Sequence, residues 1–262
     1  MTLDVAVADG VGTIRINRPD KRNAMSRAMW DAVPEILDGL AADPAVRAVV
    51  LTGAGDHFCA GADIEDFFEK LADTSLSAGA EQALIEFPKP TIAMIRGFCV
   101  GGGVQLAAAC DLRFAADGAR LGVTPAKLGI IYPARAVRRL TQLIGPSAVK
   151  YLLFSADLID AGHALRVGLL DEVVPAAELA DRVAAFCASV VARSQFTVVA
   201  MKDIVDALLD DPDYAAEAEQ DVLAEIVAQG VDGDAAEGIA AFRERRPPRF
   251  TWTLPAERTT RP

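Results

Sequence analysis

The sequence predicts an α/β protein with a helical C-terminal region. Short apolar runs typical of strands alternate with helix-period segments from the N-terminus to about Ser194, and strand signals disappear after that residue. The composition, 52% hydrophobic and 24% charged over 262 residues, is typical of a globular chain. We therefore predict an α/β core over residues 1–195 and a helical region over residues 196–262.

The first part of the chain alternates strand and helix signals. The segments LDVAV and TIRIN predict a hairpin around Gly10 and Gly12. Ser26 is a typical N-cap residue, and the amphipathic segment after it predicts a helix to about Leu40. AVRAVVLTG over 45–53 then predicts a buried strand, as in a parallel sheet whose helical crossovers cover both faces.

The middle and C-terminal parts continue this pattern. TIAMI and DLRFAA predict strands, VQLAAAC predicts a short helix between them, and further helices are expected from about Ala134 through Leu152. Asp211 can cap a later helix that has Pro212 in its first turn. The tail RRPPRFTWTLPAERTTRP has no periodicity, so we predict an irregular or partner-bound end. Helical periodicity in the C-terminal region predicts three helices: 196–209, 212–229 and 232–245.

The charge and the apolar runs limit the classes of partner. A net charge of −11 repels a nucleic-acid backbone or an anionic membrane surface, so we expect neither as a partner. The N-terminal segment MTLDVAVADG lacks the basic region of a signal peptide. No stretch reaches the roughly 18 apolar residues that a membrane-spanning helix needs. We predict a cytoplasmic protein.

The cysteines and histidines give little support for a metal site. The 4 cysteines form no CxxC pair and lie in apolar neighbourhoods, which favours buried reduced thiols over disulfides or metal ligands. The 2 histidines, His57 and His163, form no cluster with them. We expect no bound metal.

Two small-residue turns carry the strongest chemical signal. FCAGADI over 58–64 lets a backbone approach a ligand and aim its amides, although an ordinary turn with Asp63 as a helix cap also fits. In GFCVGGGVQL over 97–106 a strand ends in three glycines where a helix begins. Amides at a helix N-terminus favour a developing negative charge, although a hinge or a close packing point also fits. No Lys-Ser or Lys-Thr follows the glycines, so the segment is not a phosphate-binding P-loop.

Taken together, the motifs resemble those of the crotonase (enoyl-CoA hydratase/isomerase) superfamily in order and spacing. The resemblance implies a ClpP/crotonase-like spiral of ββα units with a C-terminal trimerisation region, assembled as a homotrimer or a dimer of trimers. It also implies an acyl-CoA thioester as substrate and no further cofactor, because coenzyme A is part of the substrate. The matching segments are NRPDKRNA at 17–24, CAGADI at 59–64, GFCVGGGVQLAAACDLRFAA at 97–116, IDAGHALRVGLLDEVVP at 159–175 and AFRERRPPRF at 241–250.

The resemblance also assigns site residues. The amides of Ala62 and Gly102 would form an oxyanion hole for the thioester carbonyl, and one such donor contributes about 3–4 kcal/mol. Arg245 would reach the CoA phosphates with Phe242 beside the adenine, whereas a solvated basic face is the alternative for ERRPPR. The CoA path would be lined by Lys21, Arg22, Ala24, Ala60, Gly61, Asp63 and Ile64.

The sequence departs from the hydratase pattern at two positions. Hydratases of this superfamily place two glutamates about a water molecule, whereas this chain has Gln105 and Pro125 at the matching places. Neither side chain exchanges a proton near neutral pH, and a positioned acid or base contributes about 10²–10⁴-fold to a rate. Ordinary hydration is therefore not predicted by these positions. A displaced acid and a simple acidic helix start are both open for Glu65, Asp66 and Glu69.

The segment from Thr124 to Tyr132 resembles methylmalonyl-CoA decarboxylase, with Thr124 and Tyr132 at matching places. Decarboxylation needs no base, because the departing carboxylate leaves its electrons to the enolate. Tyr132 would orient the carboxylate or deliver a proton, or else be a core aromatic with its hydroxyl bound by backbone. We predict an acyl-CoA lyase or isomerase that works through an enolate. A decarboxylase and a non-catalytic acyl-CoA-binding protein are the alternatives.

Overall fold

The fold is a mixed six-stranded sheet with helices on both faces, a smaller three-stranded sheet and a C-terminal group of helices. The computed structural model describes residues 2–63, 77–210 and 215–255. The strands are β1 (Leu3–Ala8), β2 (Val11–Ile16), β3 (Ala48–Gly53), β4 (Thr91–Ile95), β5 (Phe98–Val100), β6 (Leu112–Ala116), β7 (Arg120–Gly122), β8 (Ile159–Asp160) and β9 (Glu172–Val174). The described helices are α1 (Arg27–Ala42), α2 (Ala78–Ile85), α3 (Gly102–Ala109), α4 (Ala134–Ser155), α5 (Ala161–Arg166), α6 (Leu179–Val191), α7 (Gln195–Asp210), α8 (Ala215–Gln229) and α9 (Asp234–Glu244).

The large sheet has the order β1-β2-β3-β4-β6-β9, and only its first strand pair is antiparallel. The predicted hairpin is confirmed, but its turn lies at Asp9 and Gly10, whose φ angles are 50° and 81°. Two successive positive φ angles are typical of a hairpin turn whose twist matches the strands. Gly12 lies within β2 instead, where a methyl group would approach Leu40 Cδ2 to 3.0 Å.

The smaller sheet positions the two glycine-rich turns. Strand β5 pairs in parallel with β7, and β7 pairs in antiparallel fashion with β8. An isolated parallel bridge joins Cys59 to Cys99 in β5, so the 58–63 turn is attached to the same edge from which α3 starts. The two turns therefore lie side by side, although they are far apart in sequence.

Apolar side chains cover both faces of the large sheet, as the sequence predicts for parallel strands with helical crossovers. One face packs against α1, α2 and α3 around fully buried residues such as Trp30, Phe58 and Met29. The other packs Phe114 and its neighbours against α6. All four cysteines are free and buried, which confirms the predicted reduced thiols. Burial raises the pKa of the Cys59 thiol to about 12.

Helices α7 to α9 confirm the three predicted C-terminal helices, while Asp211 and Pro212 lie outside the described residues. The buried Asp234 joins the described tail to this region, because its carboxylate accepts hydrogen bonds from Ser194 Oγ (2.7 Å) and from the amide of Thr251 (3.1 Å). Residues 245–255 form no helix or strand, in agreement with the predicted irregular end. The division at residue 195 falls beside the start of α7 and stays a prediction.

The described helices were also compared with the dimensions of a membrane span. No single helix among them is both long and apolar enough to cross a membrane. Helix α6 and residues Gln195–Leu209 meet that requirement only as a pair, and the pair is bent by 105°.

Candidate active site

The turn over residues 58–63 is held by backbone hydrogen bonds along two edges. On one edge the Met25 amide donates to Gly61 O (2.8 Å) and the Asp63 amide donates to Met25 O (2.9 Å). On the other edge the Cys59 amide donates to Phe98 O (2.9 Å), and the Val100 amide donates to Cys59 O (2.9 Å). These hydrogen bonds thus fix the orientation of the turn without involving the N–H of Ala62.

The backbone nitrogens of Ala62 and Gly102 lie close to each other at this place. A methyl group built on Gly102 would lie 3.3 Å from Ala62 N, and one built on Gly61 would lie 3.4 Å from Gly102 N. Gly61 (φ 108°) and Gly101 (φ 53°) both have positive φ angles, which favour glycine. No group in the described ranges accepts a hydrogen bond from either amide. Two neighbouring amide donors without a partner among the described residues, one of them at the start of a helix, form a candidate oxyanion hole.

Trp30 of α1 closes one side of the candidate hole. A methyl group on Gly102 would lie 2.9 Å from Trp30 Cζ2, so the ring packs directly on the glycine. The ring is buried, and its Nε1 has no hydrogen-bond partner. In an indole ring Cζ2 is two bonds from Nε1. The unpaired Nε1–H of Trp30 therefore lies near the amides of Ala62 and Gly102.

Arg18 and Asn23 hold the segment 17–24 against the same turn. The guanidinium of Arg18 donates to Asp63 Oδ2 and to Ala24 O, both at 2.8 Å. Asn23 is fully buried; its side-chain amide donates to Ala54 O (2.8 Å) and His57 O (2.6 Å), and its Oδ1 accepts from the Arg18 amide (2.9 Å). Sequence analysis did not assign these roles to Arg18 and Asn23, because their partners Ala54, His57 and Asp63 are distant in sequence.

We expect Asn23→Ala to lower the free energy of unfolding by about 3–5 kcal/mol, because it removes three hydrogen bonds and leaves their partners unpaired. Urea denaturation measures the loss. Asn23 has a φ angle of 60°, so Asn23→Gly is the matched control that removes the same bonds without backbone strain. A loss below about 1 kcal/mol in both variants would show that the network does not stabilise the fold.

Gln105 lies in α3, three residues after Gly102, and its side chain is buried. Its Nε2 donates a 2.7 Å hydrogen bond to Oε2 of Glu81, which is 1% exposed and belongs to α2. Sequence analysis did not identify Glu81. Gln105 thus occupies the position at which hydratases of the superfamily have a glutamate. The carboxylate of Glu81, from another helix, is hydrogen-bonded to the end of its side chain.

Several groups act on the Glu81 carboxyl. Burial has the largest effect and raises its pKa above the ordinary value of 4.5, while the Gln105 hydrogen bond and then the charges of Arg135 and Arg139 act in the opposite direction. The carboxylate thus holds its proton more tightly than an exposed glutamate does. Such a shift is common among groups that exchange protons at active sites.

Tyr132 lies at the same turn, and its hydroxyl donates to Gly101 O at 2.9 Å. The side chain is half-buried and packs against the main core. Burial and then the charge of Glu81 raise its pKa well above 10, so the phenol stays protonated at neutral pH. Thr124 is the N-cap of a 3₁₀ turn over Pro125–Lys127, and the buried Pro125 contributes no titratable group.

Comparisons with known proteins decide the family. The family model for enoyl-CoA hydratase/isomerase matches residues 6–253. The chain belongs to this family. Crotonyl-CoA hydratase of Syntrophomonas wolfei is 35% identical to it over 92% of this chain and 94% of that protein. The (E)-benzylidenesuccinyl-CoA hydratase of Thauera aromatica is 32% identical over 95% of this chain and 99% of that protein.

Solved structures agree with the family assignment. The crystal structure of an enoyl-CoA hydratase from Bacillus anthracis superposes with a TM-score of 0.89, is 30% identical and covers 95% of this chain and 99% of that chain. The predicted crotonase-like fold is confirmed. The chain is therefore an acyl-CoA-processing enzyme of the enoyl-CoA hydratase/isomerase family.

In this crotonase fold most of the residues predicted to bind CoA lie together. The Ala60 amide donates to Arg22 O at 3.0 Å, and the Arg22 guanidinium lies 5.2 Å from the centroid of the Phe98 ring. Lys21 and Arg22 are exposed, whereas Ala24, Gly61 and Asp63 are buried. The Asp63 carboxylate accepts a hydrogen bond from the Arg18 guanidinium at 2.8 Å, and its predicted role as a helix cap stays a prediction. Ile64, like Glu65, Asp66 and Glu69, lies outside the described residues.

Phe242 and Arg245 lie at the end of α9, and their contacts are within the C-terminal region. Phe242 is 86% exposed and lines a groove with Phe196 and Phe250. Arg245 is exposed, has a φ angle of 55°, and its amide donates to Phe242 O at 3.3 Å. The predicted contact with coenzyme A across a subunit boundary stays a prediction.

Across the described part of this enzyme, no group of three or more His, Cys, Asp or Glu side chains is arranged to hold a metal ion.

Proposed function

We propose that this enzyme binds an acyl-CoA thioester with the carbonyl oxygen between the amides of Ala62 and Gly102, and stabilises the enolate that forms there. The proximity of two amides that have no partner among the described residues, each at a small-residue turn, supports the proposal. Gly102 is the first residue of α3, so the positive end of the helix dipole also lies behind this oxygen. A fixed donor pair of this kind stabilises negative charge without reorganisation, with about 3–4 kcal/mol from each donor.

The type of reaction can be ranked from the relatives and from the side chains at the candidate site. The names of the relatives from Syntrophomonas wolfei and Thauera aromatica specify different acyl groups but the same kind of thioester. Glu81 supplies a carboxyl group beside Gln105, which favours a lyase or isomerase over a protein that only binds acyl-CoA. Tyr132, which supports the decarboxylase alternative, has its hydroxyl committed to Gly101 O. We rank proton transfer at the substrate carbon ahead of decarboxylation.

We expect the carbonyl stretch of crotonyl-CoA, labelled with ¹³C at the thioester carbon, to shift to lower frequency on binding. Two hydrogen bonds to the oxygen weaken the C=O bond, as they do more strongly in the enolate. Isotope-edited infrared spectroscopy measures the shift. A bound thioester with an unshifted carbonyl would refute the oxyanion hole. Loss of CO₂ from methylmalonyl-CoA, followed in parallel, would favour the decarboxylase.

The assembly and location belong to the same proposal. Helices α7 to α9 would mediate a homotrimer or a dimer of trimers, completing the CoA site with Phe242 and Arg245 of a neighbouring subunit. Large exposed apolar side chains support this, because such surfaces commonly mark protein contacts. The enzyme would act in the cytoplasm. The exposed apolar residues of this region include Met201, Val205, Leu223, Val227, Ile239 and Phe242.

A further inference from the structure

We propose that Glu81 is the group that takes and returns the α-proton of the acyl-CoA thioester, and that Gln105 is its positioning residue. The inference rests on the proposed function, because it requires the thioester carbonyl to lie between the amides of Ala62 and Gly102. It assigns catalysis to a carboxylate of α2, a helix that lies outside the glycine-rich turns.

The position of Glu81 is defined by the packing of its helix and by its hydrogen bond to Gln105. Helix α2 packs against α1 and α3, the two helices that carry Trp30 and Gly102. Gln105 follows Gly102 by three residues, which places the two on neighbouring positions of one helical face. Its 2.7 Å hydrogen bond to Glu81 Oε2 fixes the carboxylate beside the N-terminal turn of α3. Tyr132, bonded to Gly101 O, is electrostatically coupled to the same carboxylate.

One oxygen of the Glu81 carboxylate accepts no hydrogen bond from the part of the chain that the structure describes. Gln105 donates to Oε2, and no group among the described residues donates to Oε1. A buried carboxylate kept only for structure normally has both oxygens hydrogen-bonded. The free lone pairs of Oε1 are available to a proton.

The charges around Glu81 suit proton transfer. Arg135 and Arg139 of α4 and the amide of Gln105 favour the carboxylate, whereas burial favours the acid; none of the groups that act on it comes from α1. Burial dominates, so the pKa of Glu81 is raised toward the range in which a group exchanges protons efficiently at neutral pH. The three favouring groups still allow the ionised base to form.

The proposed reaction balances without an oxidant or a second substrate. Glu81 Oε1 takes the α-proton. The C–H electron pair becomes the π bond between the α-carbon and the thioester carbon, and the carbonyl π electrons move to the oxygen held by Ala62 and Gly102. Return of the proton to the α-carbon gives back the substrate. When the substrate has a β,γ-double bond, return of the proton to the γ-carbon gives the α,β-unsaturated thioester. The substrate class is therefore an enolisable acyl-CoA, and the net reaction is a 1,3-proton shift.

The test uses the full chain with two substrates. Deuterium incorporation at the α-carbon of hexanoyl-CoA in D₂O is measured by mass spectrometry, and 3-hexenoyl-CoA isomerisation by the absorbance of the conjugated product. We expect Glu81→Gln to slow both about 10²–10⁴-fold with little change in binding of hexanoyl-CoA. Glu81→Asp should restore part of the rate. The matched control is Glu86→Gln, the same change at the end of α2, and it should retain the wild-type rate.

A change at Gln105 separates positioning from simple stability. Gln105→Leu removes the hydrogen bond that lowers the pKa of Glu81, so the pKa rises and the acidic limb of the exchange profile should move to higher pH. Wild-type exchange that persists in folded Glu81→Gln overturns the proposal, as does wild-type protein that shifts the bound carbonyl but exchanges no α-proton. In both cases the oxyanion hole survives. An unshifted carbonyl would instead refute the proposed function itself.

Discussion

Replacing Gly102 by proline is expected to lower the turnover of an acyl-CoA substrate by about 10²–10³-fold, because the substitution deletes one of the two amide donors. Proline is tolerated in the first turn of a helix, and Gly102 is the first residue of α3, so the helix itself should form. Steady-state kinetics give the loss. Circular dichroism and the melting temperature show whether the variant folds.

Gly102→Ala is the matched control, because it adds a methyl group but keeps the N–H. That methyl would meet Trp30 Cζ2 at 2.9 Å, so both variants are best compared with the same pair carrying Trp30→Phe, which removes that part of the ring. We expect alanine to lose far less activity than proline in the Trp30→Phe background. Equal losses of activity in the two variants would show that the site needs the absence of a side chain at position 102 rather than its N–H. That result would contradict the oxyanion role.

Much of the fold could be predicted because its long helices and strands have a clear periodicity of apolar residues. The hairpin, β3, β4, α1 and the three C-terminal helices all contain regular apolar spacing or a marked turn. The strands β5, β7, β8 and β9 contain only 2 or 3 residues each, too few to show alternation. Of these, β5 was predicted only as the strand that ends in the three glycines, and the other three were not predicted individually. Yet β5 and β7 place the second glycine-rich turn. The short elements therefore had to be found by structure.

The residues of the candidate site also differ in whether the sequence alone could predict them. The amides of Ala62 and Gly102 could be predicted because their signal is local: small residues at a strand-to-helix turn. Glu81 could not, since its contact with Gln105 spans 24 residues and depends on how α2 packs against α3. In a sequence, a glutamate within a helical segment is normally solvent-exposed. Only its 1% exposure distinguishes Glu81 from an ordinary surface residue.

The buried carboxylate also changes what a glutamate at position 105 would do. From the family pattern alone, Gln105→Glu restores a missing acid. In the structure it places a second carboxyl group where a nitrogen now lies 2.7 Å from Glu81 Oε2. Two carboxylates this close cannot both ionise readily, so the pair should share one proton with apparent pKa values that belong to both. One acid and one base would then be present together, and crotonyl-CoA hydration should appear or increase.

The same pair makes the stability of Gln105→Glu depend on pH. The second proton leaves the folded pair at a pKa above that of a glutamate in the unfolded chain, so the folded state binds more protons in between. Stability is then fully present below about pH 4.5, the ordinary glutamate pKa, and is lost as the pH rises through the raised value. We expect urea denaturation to show a loss of about 3–5 kcal/mol as the pH rises through the raised pKa, as for an uncompensated buried charge. Gln105→Met adds no charge and should lack this extra loss of stability. If the free energy of unfolding changed with pH by the same slope in both variants, Glu81 would not lie beside position 105.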